Sequence, residues 1–170
     1  MKFKTFVTLF LVTIIATLNS CTPDDTVEDS TTNYSSQNEV DYTYTAFELE
    51  TLNTLNDYRA SKGLTPLKKA NLLSWESEEH DQYMITNKVV SHEGFDARCQ
   101  TIIVSLGALK VGENIAYSNN SATIKAIVNA WLASPEHKKN IEGDYTHFGI
   151  SIKEDQITGK KYYTNIFAKI

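Results

Sequence analysis

The stretch Gly112-Glu113-Asn114-Ile115-Ala116 sets one carboxylate into an apolar run. An ionised carboxylate in low-dielectric surroundings must find a partner or change its pKa, so whatever reaches Glu113 decides how the chain closes around it. Two other segments carry side chains for that task. Ser91-His92-Glu93-Gly94 lies upstream, and the run from Trp131 to Asn140 (Trp-Leu-Ala-Ser-Pro-Glu-His-Lys-Lys-Asn) lies downstream, with one histidine each, His92 and His137. Their separations from Glu113, 21 and 24 residues, match no local ligand pattern such as two histidines one helical turn apart. Spacing alone does not bring them together.

The elements between these segments follow from periodicity. Leu49, Leu52, Leu55 and Tyr58 recur at helical spacing and Gly63 stands where that helix would stop. A second helix is expected from about Ala70 to Asn87, with Leu73, His80, Tyr83 and Met84 near one face, and a third from about Phe95 to Leu106. The fourth has the clearest period: Ile124, Ile127, Val128, Trp131 and Leu132 form a stripe, with Lys125 and Asn129 facing away. Ser134-Pro135-Glu136 reads as a cap, a first-turn proline and a dipole-matched acid, opening a short helix that ends near Gly143. The period then changes to alternation. Phe148, Ile150 and Ile152 share one strand face, Thr158-Gly159 makes a turn, and Tyr162, Thr164, Ile166 and Ala168 form the return strand. A short strand around Val111 to Tyr117 joins this hairpin. Helices before and between strands give an α+β architecture rather than a doubly wound parallel sheet.

The segments around His92, Glu113 and Trp131, with Leu55-Asn56-Asp57-Tyr58-Arg59 and Gly63-Leu64-Thr65-Pro66-Leu67 before them and Tyr145-Thr146-His147-Phe148-Gly149-Ile150 after, resemble the CAP superfamily: cysteine-rich secretory proteins, antigen 5 and pathogenesis-related proteins. The likeness is to its bacterial SCP-like branch and covers roughly residues 46–170. It implies a three-layer α-β-α sandwich with a small antiparallel sheet. It also implies a cleft in which two histidines and two glutamates meet. His92 and Glu113 match the first histidine and the glutamate of the GEN motif, and His137 is taken as the second histidine. Ser134 stands where the second glutamate would be, a departure from the family pattern.

At the N-terminus, Lys2 and Lys4 precede an uncharged stretch from Thr5 to Ser20 that is short for a permanent membrane span. Residues 1–20 are expected to be an export signal. Leu18-Asn19-Ser20-Cys21 resembles a bacterial lipobox, which makes Cys21 the expected lipidated first residue and the membrane, through that anchor, the expected partner. Residues 21–45 are expected to be an acidic disordered tether, with six acids and no Lys or Arg, spanning on the order of 25 Å. With Cys21 lipidated, Cys99 has no intramolecular partner and no disulfide is expected; Cys99 reads as a buried structural thiol. The net charge of −5 becomes −7 without Lys2 and Lys4, and −1 without the tether acids as well. A near-neutral domain lacking a basic stripe is a poor nucleic-acid binder. The 125 or so remaining residues make one core, CAP domain 46–170, expected to be monomeric.

Two readings of the His92, Glu113, His137 group stand side by side. Two imidazoles and a carboxylate with a vacant fourth position suit a catalytic zinc-type centre. The same groups also make a polar network in which the carboxylate sits between two histidines and ties strand to helices, and this second reading is favoured. Ser91 and Ser134 lie in no Gly-x-Ser-x-Gly elbow, which argues against a serine hydrolase. His80 reads as a core histidine, His147 as lying on the outer face of its strand, Trp131 as core, and Asn114 as an amide that satisfies backbone groups nearby. The functional expectation is an exported, lipid-anchored binding module whose cleft takes a small ligand, a lipid or a divalent metal. A lipid would require an apolar groove separate from the polar cleft. The rival is a metal-assisted hydrolase of envelope peptides or glycans, with Glu113 as metal ligand or general base.

Overall fold

A computed structural model describes residues 20–21, 40–119 and 122–170. Most of the expected export signal and tether therefore lies outside the described residues. Among the described residues the elements follow in the order β1 (Ser20–Cys21), α1 (Ala46–Ser61), β2 (Lys68–Lys69), α2 (Asn71–Asn87), α3 (Phe95–Leu106), β3 (Lys110–Ser118), α4 (Ile124–Ala133), α5 (Pro135–Ile141), β4 (His147–Glu154) and β5 (Lys161–Lys169). Among the described residues no helix is long and apolar enough to cross a membrane.

The sheet runs β1-β3-β5-β4-β2. Its centre is antiparallel: β5 pairs along β3, with Ile166 opposite Glu113, and along β4, with Ile166 opposite Gly149. The sheet is mixed rather than wholly antiparallel, because Lys68–Lys69 runs parallel to His147–Phe148. Strand alternation sorts the core into two faces. Tyr163 and Phe167 of β5 join Phe148 and Ile150 under Leu55 of α1, Ile127, Val128 and Trp131 of α4 and Ile141 of α5. Ile166 and Ala168 face the other way, joining Val111, Leu73 of α2 and Phe95, Cys99 and Ile102 of α3. This is the three-layer α-β-α sandwich.

Helices α3, α4 and α5 take the expected bounds, and Ile124, Ile127, Val128 and Trp131 are buried as the period required. Helix α1 buries Leu55 fully and Leu52 and Tyr58 in part, as expected, but not Leu49. Glu48, Thr51, Leu55 and Arg59 are its buried residues, while Leu49 is exposed. The cause is backbone accounting: buried N–H and C=O groups must be paired. Glu48 accepts from Ile152 N–H (3.1 Å), and Arg59 donates to the carbonyls of Thr65 (2.9 Å), Ile141 (2.7 Å) and Gly143 (3.0 Å). In α2, Leu73, His80 and Met84 are buried, but Tyr83 is exposed and stacks on the His80 ring. At Gly149 a β-carbon would overlap the backbone of Leu73 and Ser74, so glycine lets α2 lie directly on β4.

The expected tether boundary at residue 45 is also corrected. Tyr42 Oη donates to Glu48 (2.9 Å) and to the carbonyl of Ile150 (3.2 Å), and Tyr44 Oη accepts from Ser74 Oγ (2.9 Å). Ser74 Oγ in turn accepts from Ile150 N–H (3.0 Å). Side chains thus occupy the outward backbone groups of β4 beyond the reach of β2, an edge that would otherwise invite another strand. Cys99 is buried as expected, but it is disulfide-bonded rather than a partnerless thiol.

Candidate functional site

Glu113 lies on the α2/α3 face of β3, in the central part of the sheet, and its side chain has no solvent exposure. The loop between α2 and α3 comes back over it. His80, on α2, bonds through Nε2 to the carbonyl of Ser91 (2.8 Å), which anchors one end of that loop. Gly94 anchors the other. It takes φ = +74° as the N-cap of α3, a conformation glycine adopts without steric cost, and it turns the chain so that Arg98, one helical turn on, points back under the loop.

Four hydrogen bonds converge on the carboxylate. His92 Nδ1 donates to Oε1 (2.8 Å), Arg98 Nε donates to Oε2 (3.0 Å), and Arg98 Nη2 donates to Oε1 (2.9 Å) and Oε2 (2.8 Å). Arg98 Nη1 donates to the carbonyl of Glu93 (2.8 Å). Burial would raise the Glu113 carboxyl, but the His92 hydrogen bond and the Arg98 charge, with a smaller contribution from His80, outweigh it and hold the group below the usual carboxylate range. Because Nδ1 donates, Nε2 is the ring nitrogen that His92 turns away from the carboxylate. The His92 side chain is 28% exposed, so this group reaches solvent.

His137 arrives from the other side of β3. Asn114 Nδ2 donates to the His137 carbonyl (3.0 Å), while Asn140 Nδ2 donates to the Glu113 carbonyl (3.0 Å) and to Asn114 Oδ1 (2.9 Å). These amides fasten α5 to the strand. A β-carbon at Gly112 would overlap Tyr145 Oη and crowd Asn140, which explains the glycine of the opening tripeptide. The His137 imidazole is pushed below its usual pKa by burial first and then by the charge of His92. Asn114 and Trp131 take their expected roles. Trp131 Nε1 donates to the carbonyl of Ile115 (3.0 Å).

The other singled-out residues stand apart. Ser134 caps the start of α5 without a side-chain capping bond, and no hydrogen bond among the described residues ties it to His92 or Glu113. Ser91 Oγ accepts from Glu93 N–H (3.4 Å). His147 is at the start of β4, two strands from Glu113, beside Thr146. His80 is buried, with Nε2 bonded and Nδ1 without a partner. Arg98 is the residue that reading the sequence missed. A signal for it existed: Arg98 sits on the stripe with Phe95, Cys99 and Ile102, and a guanidinium on a buried stripe requires buried acceptors, a carboxylate or carbonyls.

The donor set does not fit a divalent ion. Among the described residues no three His, Cys, Asp or Glu side chains are grouped to hold one, and Glu113 is already bound through both oxygens to a cation. A groove of about 420 Å³ lies between α1 and α4, lined by Tyr58, Val128 and Leu132 together with Glu50, Asp57 and Lys125.

Comparison with known proteins agrees with this architecture. Residues 52–167 match the model of the cysteine-rich secretory protein family (CAP), and the chain belongs to that family. It is 26% identical over 87 residues to the human Golgi-associated plant pathogenesis-related protein 1, a match spanning 51% of this chain and 50% of the relative. In fold it is similar to an outer surface protein from Borrelia burgdorferi (TM-score 0.64, 19% identity, 75% of this chain and 96% of that one). It is also similar to an extracellular protein containing a SCP domain from Bacillus anthracis (TM-score 0.63, 23% identity, 72% of this chain and 40% of that one).

Proposed function

We propose that this chain is an exported, envelope-tethered CAP-domain binding module whose cleft, formed by His92, Glu113 and His137, takes a small organic ligand by hydrogen bonding. The observation that carries this reading is the closed charge balance of the site. Arg98 and His92 satisfy Glu113 internally, which leaves the part-exposed His92 ring rather than an unpaired charge to meet a ligand. A metal-assisted hydrolase needs protein ligands free to bind an ion and an open coordination position, and the committed state of Glu113 weighs against it. Export is supported by the extracellular and outer-surface character of the structural relatives and by the expected signal at residues 1–20.

Tethering through lipid on Cys21 is part of the same proposal. The chain contains two cysteines, and a thioether on Cys21 excludes a disulfide between them, so the lipid anchor and the disulfide at Cys99 are alternative states that the test must separate. Native mass spectrometry of detergent-extracted protein prepared from cells tests both parts. The processed chain should begin at Cys21 with a diacylglycerol addition, and a co-purifying organic species should be lost from His92→Ala. Repeated absence of any such species would overturn the binding reading. An unacylated chain two hydrogens lighter than its dithiol form would overturn the anchor.

A further inference from the structure

We infer that Arg98 is the resident cation of this cleft, cross-linking α3, the 91–94 loop and β3 through Glu113, and that its guanidinium keeps divalent metal ions out of the site. A carboxylate offers about four lone-pair directions. Those of Glu113 are taken by four hydrogen bonds, three of them from Arg98. An ion approaching either oxygen would have to displace a guanidinium whose side chain is only 10% exposed and which is held from behind by the Glu93 carbonyl. If it did not displace that group, it would sit beside it, cation against cation.

The histidines do not make up the loss. His92 spends Nδ1 as the donor to Glu113, so it has one ring nitrogen to give. His137 adds one more, and Ser134, the half-buried cap of the same helix, is not a side chain that divalent ions select. Arg98 supplies the mechanical part of what a metal would supply, a rigid planar link between elements. Unlike an ion, it needs no uptake and cannot be removed by a chelator.

The inference concerns the same cleft as the proposed function but does not depend on which organic ligand enters it. Its readout is metal binding, so failure to find a co-purifying species would leave it standing. The test titrates zinc chloride into the processed exported protein and follows both heat and the thermal midpoint, with and without EDTA, for wild type, His92→Ala, Arg98→Met and the double variant. Wild type and His92→Ala should give superimposable zinc isotherms, and EDTA should move neither midpoint. Arg98→Met frees a buried carboxylate beside His92 and should gain zinc affinity roughly ten- to a hundredfold, the range commanded by groups that control metal ligands. Zinc should raise its midpoint, and His92→Ala should cancel the gain. One equivalent of zinc bound by wild type and lost in His92→Ala would overturn the inference. So would a folded Arg98→Met that takes up no zinc. If Arg98→Met fails to fold, the wild-type and His92→Ala pair still decides whether the native cleft excludes metal.

Discussion

The two faces of the sheet are built from different materials. Under α1, α4 and α5 the strands meet Trp131, Phe148, Phe167, Ile150 and Ile141, an apolar layer whose polar side chains, Arg59, Asn114 and Asn140, bond mainly to backbone carbonyls. Under α2 and α3 the same strands bury Ser77, Asp81, Arg98, Glu113, Ser151 and Thr164, with smaller apolar clusters around them. Apolar burial is non-directional and rewards area, whereas a buried polar layer is tolerated only while every member keeps its partner. The first face is scaffold. The second holds charge in defined positions and opens to solvent at His92, and for that reason the site is there.

This contrast can be broken most severely on the apolar side. Trp131→Ala removes the largest fully buried side chain and leaves the Ile115 carbonyl without its donor. The cost should be about 5 kcal/mol, the upper part of the range for such truncations, read as a lost or greatly lowered midpoint in urea. No second substitution on that face should restore it. The charged face should behave otherwise. Arg98→Met or Glu113→Leu alone strands a buried charge and should cost roughly 3–5 kcal/mol, while the two together should return to within about 1 kcal/mol of wild type or exceed it. A double variant as unstable as the sum of the singles would show that the pair is worth more to the fold than its desolvation costs. The two faces would then differ less than argued.

The faces also differed in how far they could be read from sequence. The α4 stripe of Ile124, Ile127, Val128 and Trp131 and the hairpin alternation were legible because area burial leaves a period in the residues themselves. The α1 stripe misled at Leu49. Leu49 and Leu52 carry the period, but unpaired carbonyls on the α5–β4 connection and an outward N–H on β4 called Arg59 and Glu48 inward, a demand made by distant backbone that no local pattern records. The meeting of His92 with Glu113 was implied by family likeness rather than by spacing. Arg98 was hidden for a related reason. An arginine on a helix reads as solvated until its carboxylate is known to be 15 residues away and buried. The same lack of long-range information set the tether boundary too late, since Tyr42 finds its acceptor 108 residues further along.

The smallest expected effect separates two carboxylates on the polar face. Glu113 is held below the usual range, so its contribution to stability is present above the ordinary carboxylate pKa and is lost as pH falls through its folded value. Asp81 is the opposite case. It is fully buried and accepts a hydrogen bond from Thr164 (2.6 Å), and burial drives its pKa well above the usual value. The folded state thus favours protonated Asp81: its contribution is complete below the ordinary carboxylate pKa and declines as pH rises toward the folded value. Asp81→Asn keeps the shape and removes the titration. Near pH 4 it should lie within roughly 1 kcal/mol of wild type, and from there to neutral pH it should gain steadily on wild type in urea midpoints. Parallel curves for the two proteins would mean that Asp81 ionises in the fold without cost, and that the α2 interface is wetter than its burial implies.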